Sequence, residues 1–385
     1  MQMIPKQSSG REGIKSRSMR AKPSASGSQA RRALARLAES DRAEAGISLR
    51  LPATSANLGP GFDALALALA LYLEVDAAPA RDFAILASGR SPEVCAALRN
   101  NLLLDTYMQV WTEYAAGEPQ PLALTVRNGI PLGMGCGSSA ASRLAAVALA
   151  VHFAGLRWSR NRVLEEAAAL EGHPDNAAAC CLGGFVAAGY TSPEVGKPPQ
   201  VDARPRGVQA VSIAPPTSWH ALLVLPGQGL ATTASRAVLP AEYGRGSVVH
   251  NLQNVALLVA AFAQGDASLL LSATADLLHQ PFREGVCALL PRLLPLAGAP
   301  GILSVTLSGA GPGVLLLLSS PEVIDDVSSR VRAAVLNPQN PNGGALPLPE
   351  LLPCAFAREG ASLGNIGQTR ETLASLFSTS TFSGK

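Results

Sequence analysis

Charge is scarce in this sequence. Only 15% of its 385 residues are Asp, Glu, Lys or Arg, and aromatic residues reach only 4%. With 48% of the chain hydrophobic, a disordered polypeptide is excluded and a large core is implied, enough for two domains or one large one. No apolar run has the length and purity of a membrane span. The richest, Leu65 to Leu73, is too short, which predicts a soluble protein with no membrane partner. The six cysteines (Cys95, Cys136, Cys180, Cys181, Cys287, Cys354) include no CxxC pair, so neither a zinc site nor a dithiol motif is indicated. Residues 1–30 lack the apolar centre of a secretory signal, and reduced thiols in the cytoplasm are expected.

The net charge of +3 conceals an asymmetry. Residues 1–45 hold ten of the 31 basic residues and four of the 28 acidic ones, leaving 21 basic against 24 acidic residues for the rest. The basic character belongs to the tail, and the remainder gives no reason to expect nucleic acid. Residues 1–45 read as a disordered extension. The few acidic residues before Glu39 leave import into an organelle open as an alternative.

Order is expected from Ile47, where Ile47, Leu49 and Leu51 alternate with polar residues as in a strand that Pro52 ends. A polar, glycine-rich loop through Gly61 and an apolar stretch from Leu65 to Val75 follow. Leu122 to Val126 reads as a strand, and the segment after Ser138 as a helix to about Phe153. Ser159 caps a helix over 160–170 that Gly172 closes, and residues 173–176 open a short helix before Gly183-Gly184. Phe185 to Ala188 and Trp219 to Leu225 read as strands, separated by a proline-rich connection over 190–218. Helices are predicted at 247–262 and 267–278. Strands at 302–307 and 314–318 flank a glycine loop, and residues from 359 on read as a loose tail.

The sharpest chemical signal is Pro131-Leu132-Gly133-Met134-Gly135-Cys136-Gly137-Ser138-Ser139-Ala140-Ala141. Three glycines allow left-handed backbone, and a helix starting at about Ser138 turns free N–H groups and the positive end of its dipole to one point. That is a site for a di- or triphosphate, with serine hydroxyls able to hold phosphate or Mg²⁺. The GK[ST] ending of a Walker A loop is missing, and GxGxG is not the dinucleotide fingerprint GxGxxG. A plain glycine-rich turn before a core helix remains the simpler reading. Cys136, one residue before the helix start, is either a dipole-stabilised thiolate or a small buried apolar side chain. Asp63 beside a Gly-Phe turn is either an acceptor for an ammonium group or the N-cap of a helix from Ala64.

The loop resembles the ATP-binding PxGxGLGSSAA segment of the GHMP kinases. PATSANLGPGFDALALAL at 52–69 resembles the N-terminal signature of homoserine kinases, and EGHPDNAAACCLGG at 171–184 and SGAGPG at 308–313 resemble two further segments in the same order. The resemblance spans about residues 46–330. Met134 stands where Ser is usual, Cys136 where Leu is usual, and Gly313 where Thr or Ser is usual. The resemblance implies an α+β fold: a domain like the second domain of ribosomal protein S5 over 46–195, and a ferredoxin-like domain over 196–358. A tail over 359–385 follows. It implies ATP and L-homoserine as substrates, Mg²⁺ as cofactor, and often a homodimer.

By the same resemblance Asp63 reads the substrate ammonium. Arg236 (in TTASR) and Arg283 (in QPFR) read its carboxylate. Asn57 and His173 lie near it, and Asn176 holds the accepting hydroxyl. Ser139 and Glu171 are the metal candidates, with Glu165 and Glu166 as alternatives. Asp175 is either a general base or a helix cap. Two other functions stay open: a related kinase acting on mevalonate, a sugar or a cytidyl-linked polyol, and a non-catalytic ATP- or amino-acid-binding regulator.

Overall fold

The alternation that begins at Ile47 builds a strand buried along nearly its whole length, β1 (Ile47–Asn57). Such burial belongs to the middle of a sheet, and that is where β1 lies. The computed structural model describes residues 46–191, 207–229, 232–337, 346–365 and 371–372. In it β1 pairs antiparallel with the long β2 (Gly61–Pro79). β3 (Ala84–Gly89) is followed by α1 (Leu102–Tyr114), which carries the chain over to β4 (Leu122–Asn128), parallel to β3 and antiparallel to β2.

Three helices follow: α2 (Ser138–Phe153), α3 (Arg160–Glu171) and α4 (Asp175–Leu182). α2 is apolar nearly all round, from Ala140 and Ala141 to Val151, as a helix packed on several sides must be. β5 (Phe185–Tyr190) returns to β2, and β6 (Val208–Ile213) extends from β5.

The second sheet consists of β7 (His220–Leu225), β8 (Ile302–Leu307), β9 (Val314–Leu318) and β10 (Glu350–Cys354), antiparallel in the order β10-β7-β9-β8. Between β7 and β8 run α5 (Thr232–Ala237), α6 (Arg245–Gln264) and α7 (Gln280–Arg283). Between β9 and β10 runs α8 (Ile324–Leu336). Strand, helix, two strands, helix, strand in this order is the ferredoxin-like arrangement. The chain then comes back to the first sheet, where β11 (Ser362–Asn365) pairs with β1 and β12 (Glu371–Thr372) with β11. Phe185 of β5 stacks on Phe262 of α6 with ring centroids 4.0 Å apart, which joins the two sheets through apolar packing.

Several expectations need correction. Pro52 does not end β1; it lies opposite Tyr72 beside a register shift, where a missing N–H is tolerated. The stretch after Asp63 is strand, not helix, so Asp63 caps nothing; it has φ 56°, a left-handed conformation that Asp accepts more readily than most residues. The helix expected over 267–278 stops at Ala273, because Asp276 draws the backbone N–H groups of Leu278, His279 and Gln280 onto its carboxylate.

The 190–218 connection contains β6, so the first sheet extends past 195. The segment taken as a tail from 359 contains β11. Alternation is short in both, and pairing with β5 and β1 supplies what local pattern does not. Helix α6 is long and apolar enough, by length and composition, to cross a membrane, contrary to the expectation that no such run exists. Its inner face carries Asn251 and Asn254, both buried and hydrogen-bonded to the loop at 275–277, as in a helix packed on its own fold. Residues 1–45 lie outside the described residues.

Candidate functional site

The glycine loop leaves β4 through the turn at Asn128, whose carboxamide oxygen accepts from Ile130 N. It then winds with Gly133, Gly135 and Gly137 at φ 68°, 76° and 68°. At two of these glycines the neighbours allow no side chain. A Cβ on Gly135 would lie 1.9 Å from Ser308 O, and one on Gly137 1.8 Å from Thr54 Oγ1. The loop is therefore pressed between β1 and the second glycine loop, Ser308 to Gly313. Ser308 Oγ donates to Gly135 O at 2.8 Å, and Gly309 N donates to Ala56 O at 3.1 Å. Gly137 is the N-cap of α2 and offers no side chain to it, so the first-turn N–H groups of the helix are left for a ligand.

Two cavities meet at this loop. The larger, about 230 Å³, is mostly apolar, with Leu73, Ile85, Val94, Leu103, Val126 and Leu132 on its walls and Ser138, Ser139 and Ser142 at one side. The smaller, about 60 Å³, is polar. It is lined by Asn57, Asp63, Glu171, His173, Asp175, Asn176, Arg236 and Arg283 together with Gly135, Gly137, Ser139 and Gly309. Ser139 is common to both. Residues from β1, β2, α3, α4, α5 and α7, spread over more than two hundred positions, thus converge on one pocket.

Their partners define what each can do. Arg236 holds Asp63 through two hydrogen bonds, NH1 to Oδ2 at 3.1 Å and NH2 to Oδ1 at 2.5 Å, so the two groups assigned to opposite ends of an amino acid grip one another. Arg283 is 1% exposed and, among the described residues, makes no ion pair. Its guanidinium donates to Ser235 O and to His279 Nδ1. Burial, and then the nearby charge of Arg236, push its pKa below the usual arginine value. A buried cation so placed is short of an anion. Asp63, His173 and Asp175 bring one ligand atom each within 4.8 Å of one another, a corner suited to a cation such as an ammonium group.

Asn57 spends its carboxamide on the backbone, donating to Gly309 O and accepting from Asp63 N. It fixes the turn that carries Asp63, besides lining the pocket. Asp175 Oδ1 accepts from Asn176 N at 2.6 Å and from Asn176 Nδ2 at 3.2 Å, and bonds His173 Nδ1 at 2.6 Å. Burial acts to lower the His173 pKa, but the bond and charge of Asp175 outweigh it and raise the value. Asn176 Oδ1 in turn accepts from Thr54 Oγ1 at 2.6 Å.

Ser139 Oγ donates to Glu171 Oε2 at 3.0 Å, and Arg143 NH1 donates to Glu171 Oε1 at 2.7 Å. Two oxygens about 3 Å apart match adjacent positions of an octahedral Mg²⁺ with bonds of about 2.0–2.1 Å. The pair fits that ion, with Arg143 steadying the far carboxylate oxygen. Glu166 instead accepts from Tyr114 and Arg162, and Glu165 faces Arg162; neither lines the pocket.

Sequence reasoning missed Thr54, Phe62, Arg143, Asp276 and His279. Arg143 had a signal, since it follows Ser139 by four residues and so shares its helix face. Cys136, Ala140 and Ala141 point inward, and Met134 and Pro131 are absent from both cavity linings.

Residues 101–184 match the family described as GHMP kinases N terminal domain. The homoserine kinase of Solibacter usitatus (strain Ellin6076) is 42% identical over 268 residues, which cover 70% of this chain and 84% of that protein. The chain belongs to the homoserine kinase family. Among solved structures, a homoserine kinase from Cytophaga hutchinsonii has a TM-score of 0.65 at 22% identity, covering 83% of this chain and 98% of that one. The fold is shared more widely. Streptococcus pneumoniae phosphomevalonate kinase, solved with phosphomevalonate and AMPPNP, has a TM-score of 0.55 at 14% identity, covering 79% of this chain and 99% of that one.

The departures from the usual homoserine kinase loop have physical accounts. A Cβ on Gly313 would lie 2.5 Å from Met134 O and 3.1 Å from Leu225 Cδ2, so Thr or Ser has no room there. Cys136 is 1% exposed, and burial pushes its thiol up to about 12, against the opposing pull of a Ser308 hydrogen bond. Buried and held well above the ordinary thiol value, the side chain fits the small apolar reading and not the thiolate one. Iodoacetamide should therefore leave Cys136 unmodified in the native protein and reach Cys95, the most exposed of the six cysteines, first. Mass mapping that found Cys136 labelled first, with ATP protecting it, would reinstate the reactive thiol.

Proposed function

We infer that this chain is an ATP-dependent homoserine kinase in which transfer takes place across Ser139, with the base of ATP in the apolar cavity and L-homoserine in the polar one. The observation that carries this reading is the shared wall. The phosphate loop and the first turn of α2 separate an apolar cavity from a pocket that holds cationic and anionic groups for an amino-acid head. Arg283, a buried cation short of an anion, takes the substrate carboxylate, with Arg236 at its side. Asp63 takes the ammonium, so the ion pair it makes with Arg236 is exchanged for two pairs with the zwitterion.

Asn176, oriented by Thr54, aims the hydroxyl at the γ-phosphate. Asp175 anchors His173 and Asn176, and the hydroxyl proton passes to phosphate, as a loose transition state that needs little base assistance allows. Ser139 and Glu171 would hold Mg²⁺, which when bound neutralises charge on the phosphate oxygens. Phosphorus NMR of the protein with ATP, Mg²⁺ and L-homoserine should show a new phosphomonoester resonance that requires homoserine. ADP and inorganic phosphate alone would contradict the reading.

Asp63→Asn keeps the shape and tolerates the left-handed backbone, so folding and ATP affinity should survive. Loss of one charged hydrogen bond should lower kcat/KM for homoserine by roughly ten- to a hundred-fold. The preference for homoserine over 4-hydroxybutyrate, which lacks the amino group, should shrink by a similar factor. An unchanged preference would place recognition of the ammonium elsewhere.

A further inference from the structure

We propose that His279, a fully buried histidine outside the pocket lining, is a positioning residue that aims Arg283 at the substrate carboxylate. The proposal rests on the reading of Arg283 given above. His279 is 0% exposed. Its Nε2 lies 2.7 Å from Gly59 O, and its Nδ1 lies 3.0 Å from Arg283 NH1.

A carbonyl can only accept, so Nε2 carries the proton. An arginine N–H can only donate, so Nδ1 is the bare acceptor. The two contacts together select one neutral tautomer. Burial also disfavours the charged imidazole, and a protonated ring would have no lone pair for Arg283 and would repel it. The residue is therefore built to accept from the guanidinium at a fixed place.

Further contacts hold the residue and its surroundings. His279 N donates to Asp276 Oδ2 at 3.0 Å. The imidazole stacks on Phe62 with ring centroids 5.3 Å apart and planes 24° apart. The Phe62 ring also lies 5.4 Å from the guanidinium carbons of both Arg236 and Arg283, an aromatic surface shared by two cations that repel each other. Residues from the β1–β2 turn and the start of β2 thus meet the loop before α7, and the pocket receives a guanidinium whose direction is set from behind.

The two ring nitrogens allow the roles to be separated. The Asn amide reaches the position of Nδ1, and the Gln amide that of Nε2. His279→Asn should keep an acceptor for Arg283 and lose the bond to Gly59. His279→Gln should do the reverse. The expected result is a homoserine KM raised by about tenfold or more in the Gln variant and by about threefold or less in the Asn variant, with the KM for ATP unchanged in both.

A histidine that merely braced the Gly59 turn would give the opposite ranking, or equal losses for both substrates along with a fall in melting temperature, and either result would overturn the proposal. If Arg283→Met raises the homoserine KM while both histidine variants match wild type, only the role of His279 fails. If wild type itself gives no homoserine-dependent ADP release, the functional reading fails and the proposal with it.

Discussion

Arg283→Met is expected to raise the KM for L-homoserine by about 30- to 150-fold while leaving the KM for ATP and the melting temperature nearly unchanged. The first part follows from the worth of a charged hydrogen bond, about 2–3 kcal/mol when lost from a buried site. The second follows from where Arg283 stands. It is 1% exposed, and among the described residues no carboxylate pairs with it. Burial lowers its pKa, which means that the folded protein holds this charge at a cost in stability. Methionine fills much of the same volume and removes that cost, while His279 Nδ1 and Ser235 O lose their donors. The two effects oppose each other, so the melting temperature should stay within about 5 °C of wild type. Steady-state kinetics with each substrate varied, beside a thermal melt, checks this. A large fall in melting temperature, with both KM values rising together, would make Arg283 a structural residue.

Gly137→Ala is expected to lower kcat by at least about a hundredfold. Gly137 has φ 68°, and the added methyl carbon would fall 1.8 Å from Thr54 Oγ1 and 3.1 Å from Asn176 Oδ1. The clash cannot be relieved by a flexible side-chain tip, because Thr54 sits in a central strand whose backbone N–H donates to Cys136 O of the same loop. The glycine loop and Asn176, which the proposed reading uses to aim the acceptor, would be displaced together. Gly155→Ala is the matched control. Its φ is 66°, but no atom lies within 4 Å of the new methyl, so it should cost only about 1–2 kcal/mol of stability and leave kcat within about twofold of wild type. Equal kcat in the two variants would show that the contact between Gly137, Thr54 and Asn176 is immaterial.

Much of the site was legible because its chemistry is carried by backbone. Three glycines alternating before an apolar helix point to an anion site whatever the side chains between them, and α2 indeed starts at Ser138, with Gly137 as its N-cap. The charged residues were legible through motif resemblance, not through pattern. Nothing in the local sequence of Arg236 or Arg283 says that they meet Asp63, because that meeting depends on how α5, α7 and the start of β2 pack. For the same reason the mutual grip of Asp63 and Arg236 was invisible, and the pattern left Glu165 and Glu166 open beside Glu171, which alone of the three lines the pocket, at the C-terminal end of α3.

The misread elements share a physical cause. The start of β2 left a helix open as an alternative because it is apolar on both faces, a pattern that a central strand and a buried helix have in common. β6 was missed because it is largely exposed and follows a proline-rich connection, and β11 because it is only four residues long; each takes its place through pairing with another strand, β5 or β1. Asp276 and His279 were missed because a buried polar network is defined by its partners, and these lie on the β1–β2 turn and α6.

The measurement that bears most directly on the central claim is coupled ADP release, with kcat/KM determined for L-homoserine, L-serine, L-threonine, 4-hydroxybutyrate and mevalonate under one set of conditions. A pocket with Asp63 for an ammonium, Arg236 and Arg283 for a carboxylate and Asn176 for a hydroxyl predicts that homoserine leads this series. It also predicts that 4-hydroxybutyrate, alike in length but without the amino group, falls behind by about tenfold or more. Mevalonate matching or exceeding homoserine, or ADP release indifferent to every acceptor, would contradict the account.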